Sequence, residues 1–147
     1  MWKWLVLALF LPLSALAEGL PKPVSDTVND FGDLLSPEAE ARLTTALKKA
    51  RVESKVHVVL VTMDRREDFG GEGRSIEDYA LALFNDWGVG DRKRNDGVMI
   101  LVARTDREMR IQLGSGFGSE WDGVAQGVID RDFLPSFRRD DYEGGIE

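Results

Sequence analysis

Five polar residues offer this 147-residue sequence its most evident chemistry. Asp30 and Asp33 lie in a lead-in segment, Asn95 and Asp96 precede an apolar run, and Glu120 follows a glycine-rich stretch. Carboxylate and amide oxygens are the ligands that hard cations take. If loops at one sheet edge bring these groups together, Asp30, Asn95, Asp96 and Glu120 make an oxygen-only site for Ca²⁺ or Mg²⁺. The same residue types also cap helices and build turns, and Asn95-Asp96-Gly97 is a good turn sequence.

Other chemistries close on inspection. The chain has no cysteine, which excludes disulfides, thiolate catalysis and zinc–thiolate sites. His57 is the single histidine and falls inside a β-branched apolar run, as a structural histidine does. A Ser-His-Asp triad would have to use it, and no Gly-x-Ser-x-Gly elbow is present. The stretch QLGSGFGSE, residues 112–120, resembles a phosphate cradle. However, its third glycine comes one place early for the dinucleotide fingerprint, it follows a late strand, and no Gly-Lys-Ser/Thr follows it. Nucleotide binding is therefore not expected. These glycines instead allow close backbone approach or positive φ. Asp30-Phe31-Gly32 and Asp68-Phe69-Gly70 match the kinase tripeptide by chance, since no catalytic loop accompanies them. No loop carries the acids of an EF-hand.

The elements that must position these residues are legible. Ser36-Pro37-Glu38 starts a helix, with Ser36 as cap and Pro37 at the first position. Ala39, Leu43, Ala46, Leu47 and Ala50 make its apolar stripe, and it ends near Glu53. Val56 to Thr62 reads as a strand covered on both faces. Ser75 opens a second helix that sets Ile76, Ala80, Leu83, Phe84 and Trp87 on one side, and Gly88 stops it. Val98 to Ala103 is a second buried strand. Thr105-Asp106-Arg107 turns the chain into an alternating strand, Glu108 to Leu113, so these two form a hairpin. Asp122 to Phe133 reads as a helix, with Pro135 interrupting beyond it. Buried strands need helices on both faces, which gives an α/β fold: a three-layer α/β/α sandwich with a small mixed sheet.

Composition bounds the setting. The length suits one domain, and 43% hydrophobic with 31% charged residues suits a packed core under a hydrated surface. A net charge of −7 disfavours nucleic acid, which needs a basic face. The first 17 residues read as a signal peptide: a basic start at Lys3, the apolar run Leu5 to Leu13, and a small-residue cleavage site, Ala15-Leu16-Ala17, before Glu18. That run is too short for a comfortable membrane span. No transmembrane segment is expected in the mature chain, which would be periplasmic or secreted with net charge −8 once Lys3 is lost. Residues 18–27 read as a linker and 28–147 as the domain.

Val28-Asn29-Asp30-Phe31, Leu34-Leu35-Ser36-Pro37, Ser75 to Ala80, Asp86-Trp87-Gly88-Val89-Gly90, Asn95-Asp96-Gly97-Val98, Arg110-Ile111 with Gly114-x-Gly116, and Tyr142-x-Gly144-Gly145-Ile146 carry a resemblance. In order and spacing the chain resembles the TPM domain family, found in thylakoid-lumen phosphatase-like and photosystem II repair proteins and in bacterial exported proteins. The resemblance implies a three-layer α/β/α fold outside the cytoplasm. It also implies two functions that stay open. One is a binding or accessory module of an envelope or membrane protein complex, braced by calcium, with Trp87 to Gly90 and Phe117 as partner contacts. The other is a metal-assisted acid phosphatase acting on phosphate monoesters. There Asp30 or Asp96 would hold the metal, Arg110 would pair with phosphate, and Glu120 would act as base.

Overall fold

A computed structural model describes residues 19–147; the expected signal peptide lies outside the described residues. Four strands form one mixed sheet in the order β1 (Val28–Asp30), β2 (Val58–Met63), β3 (Val98–Ala103), β4 (Glu108–Leu113). β1, β2 and β3 run parallel, and β4 returns antiparallel to β3 as the expected hairpin. β1 falls within the segment read from sequence as an extended lead-in. Three residues are too few to show a period, and two of them are Asn29 and Asp30.

Alternation along β2 assigns the two faces. Val59, Val61 and Met63 point with Met99, Leu101 and Ala103 toward α2 (Ile76–Trp87), whose Ile76, Tyr79, Ala80, Leu83 and Phe84 close that layer. Leu60 points the other way with Val28, toward Ala39, Leu43 and Leu47 of α1 (Pro37–Ser54). On that same side Val102 and Ile111 meet Ile129, Phe133 and Phe137 of the C-terminal helices. These are α3 (Glu120–Val128), a π-helical turn (Ile129–Phe133), α4 (Leu134–Phe137) and α5 (Tyr142–Ile146). The result is the expected α/β fold with helices on both faces of a mixed sheet.

One topological feature is unusual. β1, β2 and β3 are neighbours in chain order, yet α1 and α2 cross on opposite faces. The two parallel crossovers therefore have opposite hands, and one departs from the strong right-handed preference.

Local chemistry explains the element ends. Ser36 accepts from the Ala39 N–H at 3.2 Å, and Pro37 opens α1. Ser75 caps α2 through the Asp78 N–H at 3.1 Å, and Gly88 ends it in the left-handed region. Pro135 does not interrupt a helix. It stands in the first turn of α4, directly after the π turn, and the helical run passes through it.

Candidate functional site

The strands divide the expected site residues between two ends of the sheet. Asp30 ends β1 opposite Thr62, at the carboxyl ends of the parallel strands. Asn95 and Asp96 precede Val98, at their amino ends. Thr62 pairs with Val102, so four residues of β3, about 13 Å at a strand rise of ~3.3 Å, separate the two levels. Glu120 follows β4, which ends opposite Val98, and so belongs to the amino end. Arg110 sits mid-strand opposite Leu101, on the face that α2 covers, and its buried Nε has no hydrogen-bond partner among the described residues. The expectation that loops gather Asp30, Asn95, Asp96, Glu120 and Arg110 at one edge is not met.

At the carboxyl end, Asp30 is committed to its own loop. Its carboxylate accepts from the Leu34 and Leu35 N–H groups, each at 3.0 Å, and from the Thr62 hydroxyl. That uses three of about four lone-pair sites. Asp33 is exposed and takes a positive φ of 49°, with its N–H on the Asp30 carbonyl. Phe31 between them stacks on Phe69 at 5.4 Å and meets Trp87 edge-on at 6.4 Å.

Two acidic loops stand beside this one. The Arg66 guanidinium bridges Asp106 at 3.2 Å and Glu108, while its backbone N–H donates to Asp106 at 2.9 Å. Arg104 Nη2 lies 2.6 Å from Asp64 Oδ1, but off the hydrogen-bonding direction, which makes this an ionic contact without a directed bond. Sequence reasoning did not single out Asp64, Asp106 or their arginines. Their position just beyond β2 and β3 was the available signal, since α/β sheets present ligands there.

The amino end answers the glycine question. The Gly114 N–H donates to the Gly97 carbonyl and the Gly116 N–H to the Asn95 carbonyl, both at 2.8 Å. A side chain at Gly114 would strike Asn95, and one at Gly116 would strike Arg94, in each case at the backbone. Gly90 and Gly97 face one another in the same way. The glycines form a seam of backbone against backbone, locking the loop before β3 to the exit of β4.

Asp96 is also occupied there. It accepts from the Asp91 N–H at 3.2 Å and pairs with Arg94 Nε at 3.0 Å. The Lys93 and Arg94 N–H groups hold the Asp91 carboxyl below its usual range. Glu120 folds back over Gly118 on the exposed rim. His57 is structural: its Nδ1 accepts from the Gly90 N–H at 3.1 Å, which leaves Nε2 to carry the proton toward the Asp26 carbonyl at 2.7 Å. Trp87 is half-buried and donates to the Pro21 carbonyl at 2.8 Å, and Val89 is buried, so this turn faces the core and the lead-in segment.

A calcium or magnesium shell needs six or more oxygens within about 2.6 Å of one ion. Asp30, Asn95, Asp96 and Glu120 do not form such a shell together, because Asp30 stands at the opposite end of the strands from the other three, its carboxylate is hydrogen-bonded within its own loop, and Asp96 is paired with Arg94. Among the described residues, no three acidic or histidine side chains lie close enough to share a metal ion.

The architecture recurs in solved structures. The N-terminal domain of a protein from P. gingivalis is similar at 30% identity and TM-score 0.70, covering 81% of this chain and 73% of that one. The N-terminal domain of the cg2496 protein from Corynebacterium glutamicum matches at 15% identity and TM-score 0.62, over 85% and 75% of the two chains. The BA42 protein from the psychrophilic bacterium Bizionia argentinensis matches at 18% and 0.58, over 76% and 73%. These last two likenesses show the fold alone. No curated protein matches the chain. The family model of the TPM domain matches residues 28–147, nearly all that the structure describes, and this chain belongs to the TPM domain family.

Proposed function

We propose that this chain is an exported binding module of the bacterial envelope rather than a phosphatase. One observation carries the reading: the groups a metal-assisted phosphatase would recruit are dispersed. Asp30 clamps a loop at one end of the sheet, Asp96 is paired at the other, and Arg110 lies between them beneath α2. Phosphoryl transfer depends on positioning, so reacting groups spread over a sheet's length supply little of it. Support for export comes from the sequence ahead of Glu18, read as a signal peptide. Among the described residues, no helix is long and apolar enough to cross a membrane.

The test has two arms. Residues 18–147 are assayed on p-nitrophenyl phosphate at mildly acidic pH, with and without Ca²⁺ or Mg²⁺, beside Asp96→Asn and Arg110→Gln. Wild type and variants should release nitrophenol at the same background rate. Cation-dependent turnover that either substitution abolishes would sink the binding reading. In the second arm the tagged full chain is fractionated from cells. It should be recovered outside the cytoplasm, processed ahead of Glu18, and recovery as an unprocessed cytoplasmic protein would refute export.

A further inference from the structure

Among the described residues the sheet leaves one long edge open, and the open edge leads into a cavity. β4 is the last strand in the order β1-β2-β3-β4. Its residues 108–113 make no backbone hydrogen bond outside the ladder to β3 among the described residues. The side-chain amide of Gln112 reaches the Leu113 carbonyl at 3.1 Å, and the rest of the outer edge has no partner among the described residues. Such an edge is a template for another extended chain.

Where β4 begins, a cavity of about 230 Å³ opens between the sheet and α4–α5. Met109, Leu134, Phe137 and Tyr142 supply its apolar wall, and Arg107 and Arg138 stand at it. A cleft of about 380 Å³ continues from it, sharing Arg107, Glu108, Met109 and Leu134 and adding Ile76 from α2 and Ile129 from the opposite layer. The cleft is thus walled by both helical layers at the free edge of the strand.

Charge narrows the occupant. In a chain of net charge −7, Arg42, Arg51, Arg65, Arg66, Arg94, Arg104 and Arg131 all hold carboxylates. Arg107 and Arg138, like Arg74, Arg92, Arg110 and Arg139, hold none among the described residues; Glu108, the one acid lining the cavity itself, is taken by Arg66, and Glu77 lines the continuing cleft. Two free guanidinium groups beside an apolar pocket suit an anion attached to an apolar group. The volume admits one aromatic ring or branched side chain; a cavity of about 150 Å³ already takes a benzene ring.

The geometry points to a docking site for the free C-terminus of a partner polypeptide. The partner's last residues would lie antiparallel on β4, its apolar terminal side chain in the cavity and its carboxylate between Arg107 and Arg138. Main-chain bonds to the edge give affinity, and the pocket and its charge give selectivity. This rests on the binding-module reading and narrows its partner. The unpaired strand edge and the continuing cleft favour a chain end over a small free acid.

The probe is a dye-labelled hexapeptide of alternating threonine and valine ending in phenylalanine, titrated into residues 18–147 by fluorescence anisotropy. The free acid should bind saturably and shift the amide resonances of residues 108–113. The C-terminally amidated peptide should bind at least tenfold more weakly. Arg107→Gly, which suits the backbone there, and Arg138→Gln should each weaken the free acid to the level of the amide. Equal binding of acid and amide, no binding at all, or shifts confined to other surfaces would overturn the proposal. N-acetylphenylalanine binding as tightly as the hexapeptide would overturn the chain-end source and leave a small-carboxylate pocket. Phosphate-ester turnover, read separately, would remove the parent reading however the peptide behaves; a failed titration without turnover removes this occupant alone.

Discussion

The hydroxyl of Thr62 donates to the carboxylate of Asp30 across the β1–β2 pair and accepts the Gly32 N–H at 3.1 Å. With the Leu34 and Leu35 N–H groups on the same carboxylate, this fixes the path from β1 into α1. Asp30→Ala removes an ionised acceptor from three donors. Bonds to charged groups contribute about 1.5–3 kcal/mol each and do not add, so the loss should be about 3 kcal/mol. Thr62→Val, which removes one member, should cost about 1–2 kcal/mol. Urea unfolding of both variants measures this, and a loss under about 0.5 kcal/mol for Asp30→Ala would show that the clamp is not a structural one.

Glycine substitutions should separate by sign. Gly114→Ala and Gly116→Ala drive a methyl into the backbone of Asn95 and Arg94, which cannot yield without opening the seam. Each should destabilise by more than about 1 kcal/mol. Gly123 and Gly127 lie in α3 with open space around them. Alanine there should stabilise by up to about 1 kcal/mol, the difference in helix propensity. Thermal melts of the four variants decide it: a stable Gly116→Ala would mean the seam is not closed in solution.

How far the sequence discloses this molecule depends on the range of the signal. Caps and stripes are local, so Ser36, Pro37, Ser75 and Gly88 mark the ends of α1 and α2 in the chain itself. The hairpin was legible because Met109, Ile111 and Leu113 alternate beside a continuous apolar run. Ala46, counted in the stripe of α1, is exposed, because only one side of that helix meets the sheet. The site was not legible. Whether Asp30 and Asp96 share an edge depends on which strand end each follows, and β1 is too short to announce itself. The cavity at Arg107 and Arg138 joins the β3–β4 turn to the end of α4, far apart in the chain, and no spacing rule connects them.

Tyr79 ties alkaline stability to one buried phenol. Its side chain is fully buried, and its hydroxyl donates to the Phe69 carbonyl at 2.7 Å. Burial pushes the phenol from 10.0 up to about 12, partly opposed by the charges of Arg74 and Arg66. A raised folded value means the neutral form is the one the fold favours. Its contribution is fully present below pH 10 and is lost as pH rises through about 12. Denaturant midpoints measured from pH 8 to 12 should therefore fall more steeply for wild type than for Tyr79→Phe. Parallel curves would mean that Tyr79 ionises without cost to the fold.

Lys55 and Arg107 share a backbone conformation that favours glycine, with φ of 65° and 54°. Lys55 closes α1 with its N–H on the Arg51 carbonyl at 2.9 Å, the position where a helix takes glycine most often. Arg107 closes the β3–β4 turn on the Arg104 carbonyl at 3.1 Å. A left-handed residue with a side chain costs about 1–2 kcal/mol, and glycine returns about 0.5–1 kcal/mol of that as chain entropy. Lys55→Gly and Arg107→Gly should each leave stability unchanged or raise it by up to about 1 kcal/mol. Urea midpoints measure the two together. An Arg107→Gly chain that is clearly less stable than wild type would mean the guanidinium holds the turn. Stability equal to or above wild type would mean that the guanidinium is not needed for the turn, which leaves it free for a carboxylate at the mouth of the cavity.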